Sequence, residues 1–242
     1  MIDVGDSIEL APGVAVRDRE LVDPVRQNSI PLNDAARVVL EAPTVRAAGA
    51  RLAKAGAADG ERDALEFCAE LNARGLLNVS IPLRARLRRR ARALRYGLLL
   101  HAPVRRFDVQ SPVAVARAVA APAALLTLAL LPAVVVAGGI ALAAAFATGV
   151  AIVLHEVGHA LALRGLPYAL LLDGLRPELL HRRLAGVRAC LVAIAGPALP
   201  ALAAVGLALA IRPAAPALVP LAAHALGLSV LAEDGRSACG LS

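Results

Sequence analysis

The chain has 242 residues, 58% of them hydrophobic but only 2% aromatic, and its mean hydropathy is +0.66. That apolar share exceeds an ordinary soluble domain's, and it comes from Ala, Leu and Val, which suit long helices in lipid. The charge is split: residues 1–80 hold nine basic and thirteen acidic side chains, and the remainder seventeen and six. The basic part is therefore the apolar part, so the pI near 10.5 points to a membrane surface rather than to nucleic acid. Cys68, Cys190 and Cys239 are scattered, odd in number and form no CxxC pair. They read as small packing residues, with no disulfide framework.

Residues 1–80 read as a soluble α/β region. Residues 7–10 and 14–19 are expected as short strands around the Pro12–Gly13 turn, with a third extended piece over 25–30. Asn33 or Asp34 is placed to cap a helix that buries Ala35, Ala36, Val39 and Leu40. A second helix is expected from Pro43–Thr44 to Ala55, then a break over 56–60. A third carries Leu65, Cys68, Leu71 and Leu76 near helical spacing. No basic-then-apolar signal sequence opens the chain.

Residues 81–111 read as a basic juxtamembrane connector with nine arginines, from Arg84 to Arg106. A solvated charged helix is the plain reading. An apolar run follows, however, and juxtamembrane arginines attract anionic headgroups and set topology. Four spans are expected near 118–137, 140–163, 189–211 and 214–232, each close to the ~20 residues that cross a bilayer. With the connector inside, four crossings also leave Arg164, Arg176, Arg182, Arg183, Arg188 and Arg236 inside, and only Arg212 outside. The expectation is thus a multi-pass α-helical protein of the cytoplasmic membrane with both termini cytoplasmic.

A charged group at mid-bilayer costs about 2.5–3.5 kcal/mol on insertion scales. The second span nevertheless carries His155, Glu156 and His159. Positions i and i+4 share a helix face, so both imidazoles can grip one ion. Glu156 lies about 100° around the helix and can take a proton from water as general base. Gly158, with no side chain, lets another backbone approach. The plain alternative is two histidines hydrogen-bonded inside a helix bundle. HExxH in an apolar span of a chain with five histidines favours zinc. A catalytic zinc needs a third protein ligand. Asp234, at the inner end of the fourth span, is the first choice, because His155 lies nine residues before Arg164, roughly 13 Å from that side. Asp173 is the competitor, with a turn role at Asp173–Gly174 as its plain explanation. Glu178, His181 and His224 are further candidates; His181 sits among arginines and His224 lies mid-span.

Residues 112–242 resemble the site-2 protease family of intramembrane zinc metalloproteases. The resemblance rests on His155–Glu156–Val157–Gly158–His159–Ala160, Ala195–Gly196–Pro197 and Asp234–Gly235. It implies Zn2+ held by His155, His159 and Asp234, with Glu156 as catalytic base. Two features depart from the family. An Asn common after Ala-Gly-Pro is absent, with Pro200 near its place, and the Asn-Pro-rich approach to the Asp is here Gly227–Leu228–Ser229–Val230. Both put substrate handling in question more than metal binding.

Residues 5–80 resemble the PqqD-like peptide-recognition domain through Pro12–Gly13–Val14, Leu32–Asn33–Asp34–Ala35–Ala36 and Arg74–Gly75–Leu76–Leu77. That resemblance implies a winged-helix-like fold that takes up the leader of a ribosomally made precursor peptide as an added strand. A DNA-binding winged helix is the alternative, and the region's balance of −4 opposes it. Together the two halves imply a protease that removes a leader near the inner membrane face. A daptide-type product, being apolar and helical, would suit it. The rivals are a signalling protease that cuts a membrane-anchored regulator, and a non-enzymatic peptide-binding scaffold or immunity protein.

Overall fold

A computed structural model describes residues 2–96, 103–210 and 215–223. The chain divides into two units. One is Met1–Asp108 with Ala169–Arg176, and the other is Val109–Tyr168 with Pro177–Ser242.

The first unit opens with β1 (Ser7–Leu10), β2 (Ala15–Arg17), β3 (Glu20–Asp23) and β4 (Asn28–Pro31). The strand expected over 14–19 stops at Arg17, because Asp18 and Arg19 both take positive φ, 45° and 67°. Positive φ at both central positions gives the turn whose twist matches a two-residue hairpin. β2, β3 and β4 form one antiparallel sheet in that order. The third extended piece therefore begins later than expected, at Asn28, after a turn in which Asp23 Oδ1 accepts from Val25 N at 3.1 Å.

Three helices follow: α1 (Asp34–Leu40), α2 (Val45–Lys54) and α3 (Gly60–Ala73). Each has a side-chain cap on an otherwise orphaned backbone donor. Asn33 accepts from Ala36 N at 2.7 Å, Thr44 from Ala47 N at 3.1 Å and Asp59 from Arg62 N at 3.3 Å. Asn33, rather than Asp34, is thus the cap of α1. Leu76 falls beyond α3, since Gly75 at φ 67° ends the helix. Gly75 N donates to Asn72 O at 2.8 Å and Leu76 N to Leu71 O at 2.9 Å, the paired bonds of a glycine-terminated helix. The chain then enters β5 (Leu77–Ser80), a strand the periodicity did not reveal, antiparallel to β1. Ile8, Leu21, Val39, Val45, Leu52, Cys68, Leu71 and Leu77 fill the core. Burial pushes the Cys68 thiol up to about 11, which agrees with a packing role.

The arginine-rich stretch is folded onto this unit. It forms α4 (Leu83–Tyr96) and β6 (Arg105–Asp108). Arg89 makes a bidentate pair with buried Asp6, at 2.8 and 2.7 Å. Asn72 clasps Val104: its Oδ1 accepts from Val104 N at 3.0 Å, and its Nδ2 donates to Val104 O at 2.7 Å. Asn78 does the same for Arg106, at 2.9 and 3.0 Å. Each amide turns one N–H and its carbonyl oxygen toward the strand, and so pairs with it as backbone would. β6 then pairs antiparallel with β7 (Tyr168–Asp173), a strand that begins six residues after the second long apolar helix ends.

The second unit holds α5 (Pro112–Leu130), α6 (Pro132–Ala162), β8 (Arg176–His181), α7 (Gly186–Ala210) and α8 (Ala215–Ala223). α5 starts before the expected 118 because Ser111 caps it, accepting from Ala114 N at 3.1 Å, with Pro112 at the first helical position. α6 is interrupted at Gly138, whose φ of 61° and ψ of −145° no continuous helix allows. α6 packs against α5, α7 and α8. Three described segments, Pro112–Leu130, Gly138–Ala162 and Gly186–Ala210, are long and apolar enough to cross a membrane. They correspond to the first three expected spans. The fourth begins in α8, and the rest of it lies outside the described residues.

Candidate metal centre

His155, Glu156 and His159 occupy the last two turns of α6. The helix repeat brings the imidazoles onto one face, edge to face, with centroids 4.8 Å apart and planes at 79°. Their Nε2 atoms are 3.1 Å apart. Two nitrogens bound tetrahedrally to one zinc at about 2.0–2.1 Å would stand about 3.3 Å apart, so this pair fits the ion. Glu156 is only 6% exposed, a carboxylate within an apolar helix bundle. Such burial is costly unless a compensating group is near.

A second nitrogen fixes how His159 presents itself. Its Nδ1 lies 2.7 Å from the carbonyl oxygen of Val192 on α7. A carbonyl only accepts, so Nδ1 carries the hydrogen and Nε2 is the basic nitrogen of the neutral ring. This is the arrangement that metal-ligating histidines adopt.

α7 reaches the site through two glycines. A Cβ placed on Gly158 would lie 2.8 Å from the Ala195 carbonyl carbon, closer than real Cβ contacts come. The backbone approach expected at Gly158 is therefore made, by the Ala195–Gly196 segment. A Cβ on Gly196 would lie 2.5 Å from Cε1 and 2.7 Å from Cδ2 of His159. The Ala195–Gly196–Pro197 segment thus meets the HExxH helix at its second histidine.

Among the described residues, no group of three His, Cys, Asp or Glu is set to hold an ion. Asp234 and His224 lie outside the described residues. Asp173 ends β7, in the first unit, and is exposed. Glu178 on β8 is exposed, and His181 Nδ1 lies 2.6 Å from the Arg182 carbonyl. Sequence reasoning did not find the Val192 carbonyl, and no sequence signal could have named it, since every residue carries a carbonyl. The contact of Gly196 with His159 had a weak signal, a Gly-Pro step inside an apolar helix. No family model, no curated protein and no solved structure matches this chain.

Proposed function

We propose that the chain is a membrane-embedded zinc metallopeptidase that cuts the leader from a ribosomally made precursor peptide near the cytoplasmic face. The observation that carries the peptidase reading is the convergence of His155 and His159 Nε2 atoms at 3.1 Å beside a buried Glu156, on an apolar helix of membrane-spanning length. His155 and His159 hold the ion, with Asp234 as third ligand. When bound, zinc supplies a Lewis acid and lowers the pKa of a coordinated water to about 7. Glu156 takes the proton from water as its oxygen adds to the peptide carbonyl carbon. The same carboxyl returns the proton to the amide nitrogen as the C–N bond breaks, and the second water proton passes from the new carboxyl group to the amine, leaving a carboxylate and an ammonium group.

The leader-capture reading rests on the N-terminal unit. It is a small α/β domain in which the three-stranded sheet β2-β3-β4 ends on an exposed strand, β2, and we read it as winged-helix-like. Edge strands take up extended peptides through backbone pairing.

Glu156→Gln tests the peptidase. The amide keeps the carboxylate's size but cannot take the proton. Elemental analysis of the detergent-purified variant should show zinc at the wild-type level, while cleavage of the precursor falls to background. Undiminished cleavage in Glu156→Gln would give the base to another residue. Wild-type protein without zinc or cleavage would favour a peptide-binding scaffold.

A further inference from the structure

We infer that α7 supplies a fixed seat for the His159 imidazole, with Gly196 as a positioning residue for the metal ligand. The inference rests on the zinc-site reading above. Gly196 and the Val192 carbonyl are four residues apart, one turn, and so face the same side of α7. Both touch one ring. Val192 O accepts the Nδ1 hydrogen at 2.7 Å. Gly196 lies against the opposite, Nε2-bearing edge, where a methyl group would come within 2.5–2.7 Å of the ring carbons.

The two contacts act on different freedoms of the ring. The hydrogen bond fixes the tautomer and the rotation of the ring. The missing Cβ leaves the volume that lets Nε2 face His155. The helix crossing that makes this possible is itself set by glycine, because Gly158 admits the Ala195 carbonyl. Three features of the seat are therefore backbone: one carbonyl and two absent side chains. Pro197 follows directly and cannot donate to the Ala193 carbonyl, which loosens the helical constraint on α7 beside the seat. Groups that orient a ligating histidine typically change metal affinity 10–100-fold when lost, and Gly196 belongs in that class.

The test uses the full chain in detergent, with zinc affinity measured by chelator competition. Gly196→Ala should weaken zinc binding at least about tenfold. Gly206→Ala, on the same helix with nothing within 4 Å of the added methyl, should bind as wild type. Helical circular dichroism and the unfolding temperature of the metal-free proteins report on folding. A folded Gly196→Ala protein with wild-type zinc affinity would overturn the seat. So would 15N spectra of histidine-labelled, metal-free wild type that place the His159 hydrogen on Nε2; the Nδ1–H form is expected. This second measurement needs neither the variant nor the metal. If wild type bound no zinc, the peptidase reading would fall, and the spectra alone would decide the seat.

Discussion

Arg106 of β6 and Asp23 of β3 form a bidentate ion pair, both contacts 2.8 Å, with side-chain exposures of 0% and 3%. The pair ties the end of the arginine-rich stretch to the hairpin sheet of the first unit. Burial pushes the Asp23 carboxyl up, but the Arg106 hydrogen bonds and charge, with the amides of Arg26 and Val25, hold it below the usual aspartate range. Arg106→Ala takes the bidentate partner from a buried carboxylate, leaving it the Val25 and Arg26 amides and the Arg26 guanidinium at 4.0 Å, and should destabilise the unit by up to about 3–5 kcal/mol. Replacing both partners, as in Asp23→Leu with Arg106→Met, should cost much less than Arg106→Ala, because no charge is stranded. Chemical denaturation of the three proteins checks the order.

The same pair sets a pH dependence. A carboxyl whose folded value is depressed adds stability that is fully present above its unfolded value, about 3.9. That stability is lost as pH falls through the lower folded value. Asp23→Asn should therefore be less stable than wild type at neutral pH, and the difference should shrink in acid below about pH 3.9. Denaturation curves at pH 7 and pH 3 measure it. An unchanged difference would remove Asp23 from the acid response.

Asn72 is 4% exposed and its amide serves three backbone groups: Leu77 O at 2.8 Å, and Val104 N and O at 3.0 and 2.7 Å. Asn72→Ala leaves those groups unsatisfied, at about 1–3 kcal/mol for a buried polar group. Asn72→Asp keeps the acceptor but loses the two donated bonds, and should be no better. Amide hydrogen exchange at Val104 should quicken in Asn72→Ala, which removes the acceptor of that N–H, while α2 exchange stays at its wild-type rate. A Val104 amide as protected as in wild type would show that the clasp does not hold this strand.

Zinc occupancy separates the two aspartates. Loss of the true third ligand leaves two protein donors, and affinity falls sharply. Asp234→Ala should lower zinc content and cleavage together, while Asp173→Ala, at an exposed position before Gly174 with φ 62°, should keep both. The reverse pattern would move the third ligand to the loop after β7. His155→Ala with His159→Ala should abolish stoichiometric zinc whichever aspartate completes the site.

Leader capture is tested at β2. Arg17 and Glu20 flank the two-residue turn, so Val16 and Leu21 form the next, non-hydrogen-bonded pair. The Val16 backbone groups therefore face outward, and the residue is 40% exposed. Val16→Pro removes an outward N–H without breaking a bond to β3. The apparent KM for the full precursor should rise several-fold, because tethering raises the local concentration of the cleavage segment. A short peptide spanning only the cleavage site should be cut as before. Equal kinetics for the full precursor would move the leader to another edge or end the tethering role.

Much of this protein was legible in its sequence because the signals are local. Helix starts at Asn33 and Thr44 and the apolar lengths of α5 to α7 each depend on residues a few positions apart. So does the pairing of His155 with His159, which the helix repeat sets. The turn at Asp18–Arg19, the strand β5 and the clasping of β6 by Asn72 and Asn78 were not legible. Short strands become strands only when a distant partner pairs with them, and β6 finds β7 more than sixty residues further along the chain. The seat of His159 depends on tertiary structure most completely. Its hydrogen-bond acceptor is a backbone carbonyl, which every residue possesses, and its shape is the absence of a side chain at Gly196. Only the crossing of α6 with α7 decides which carbonyl and which glycine meet that ring.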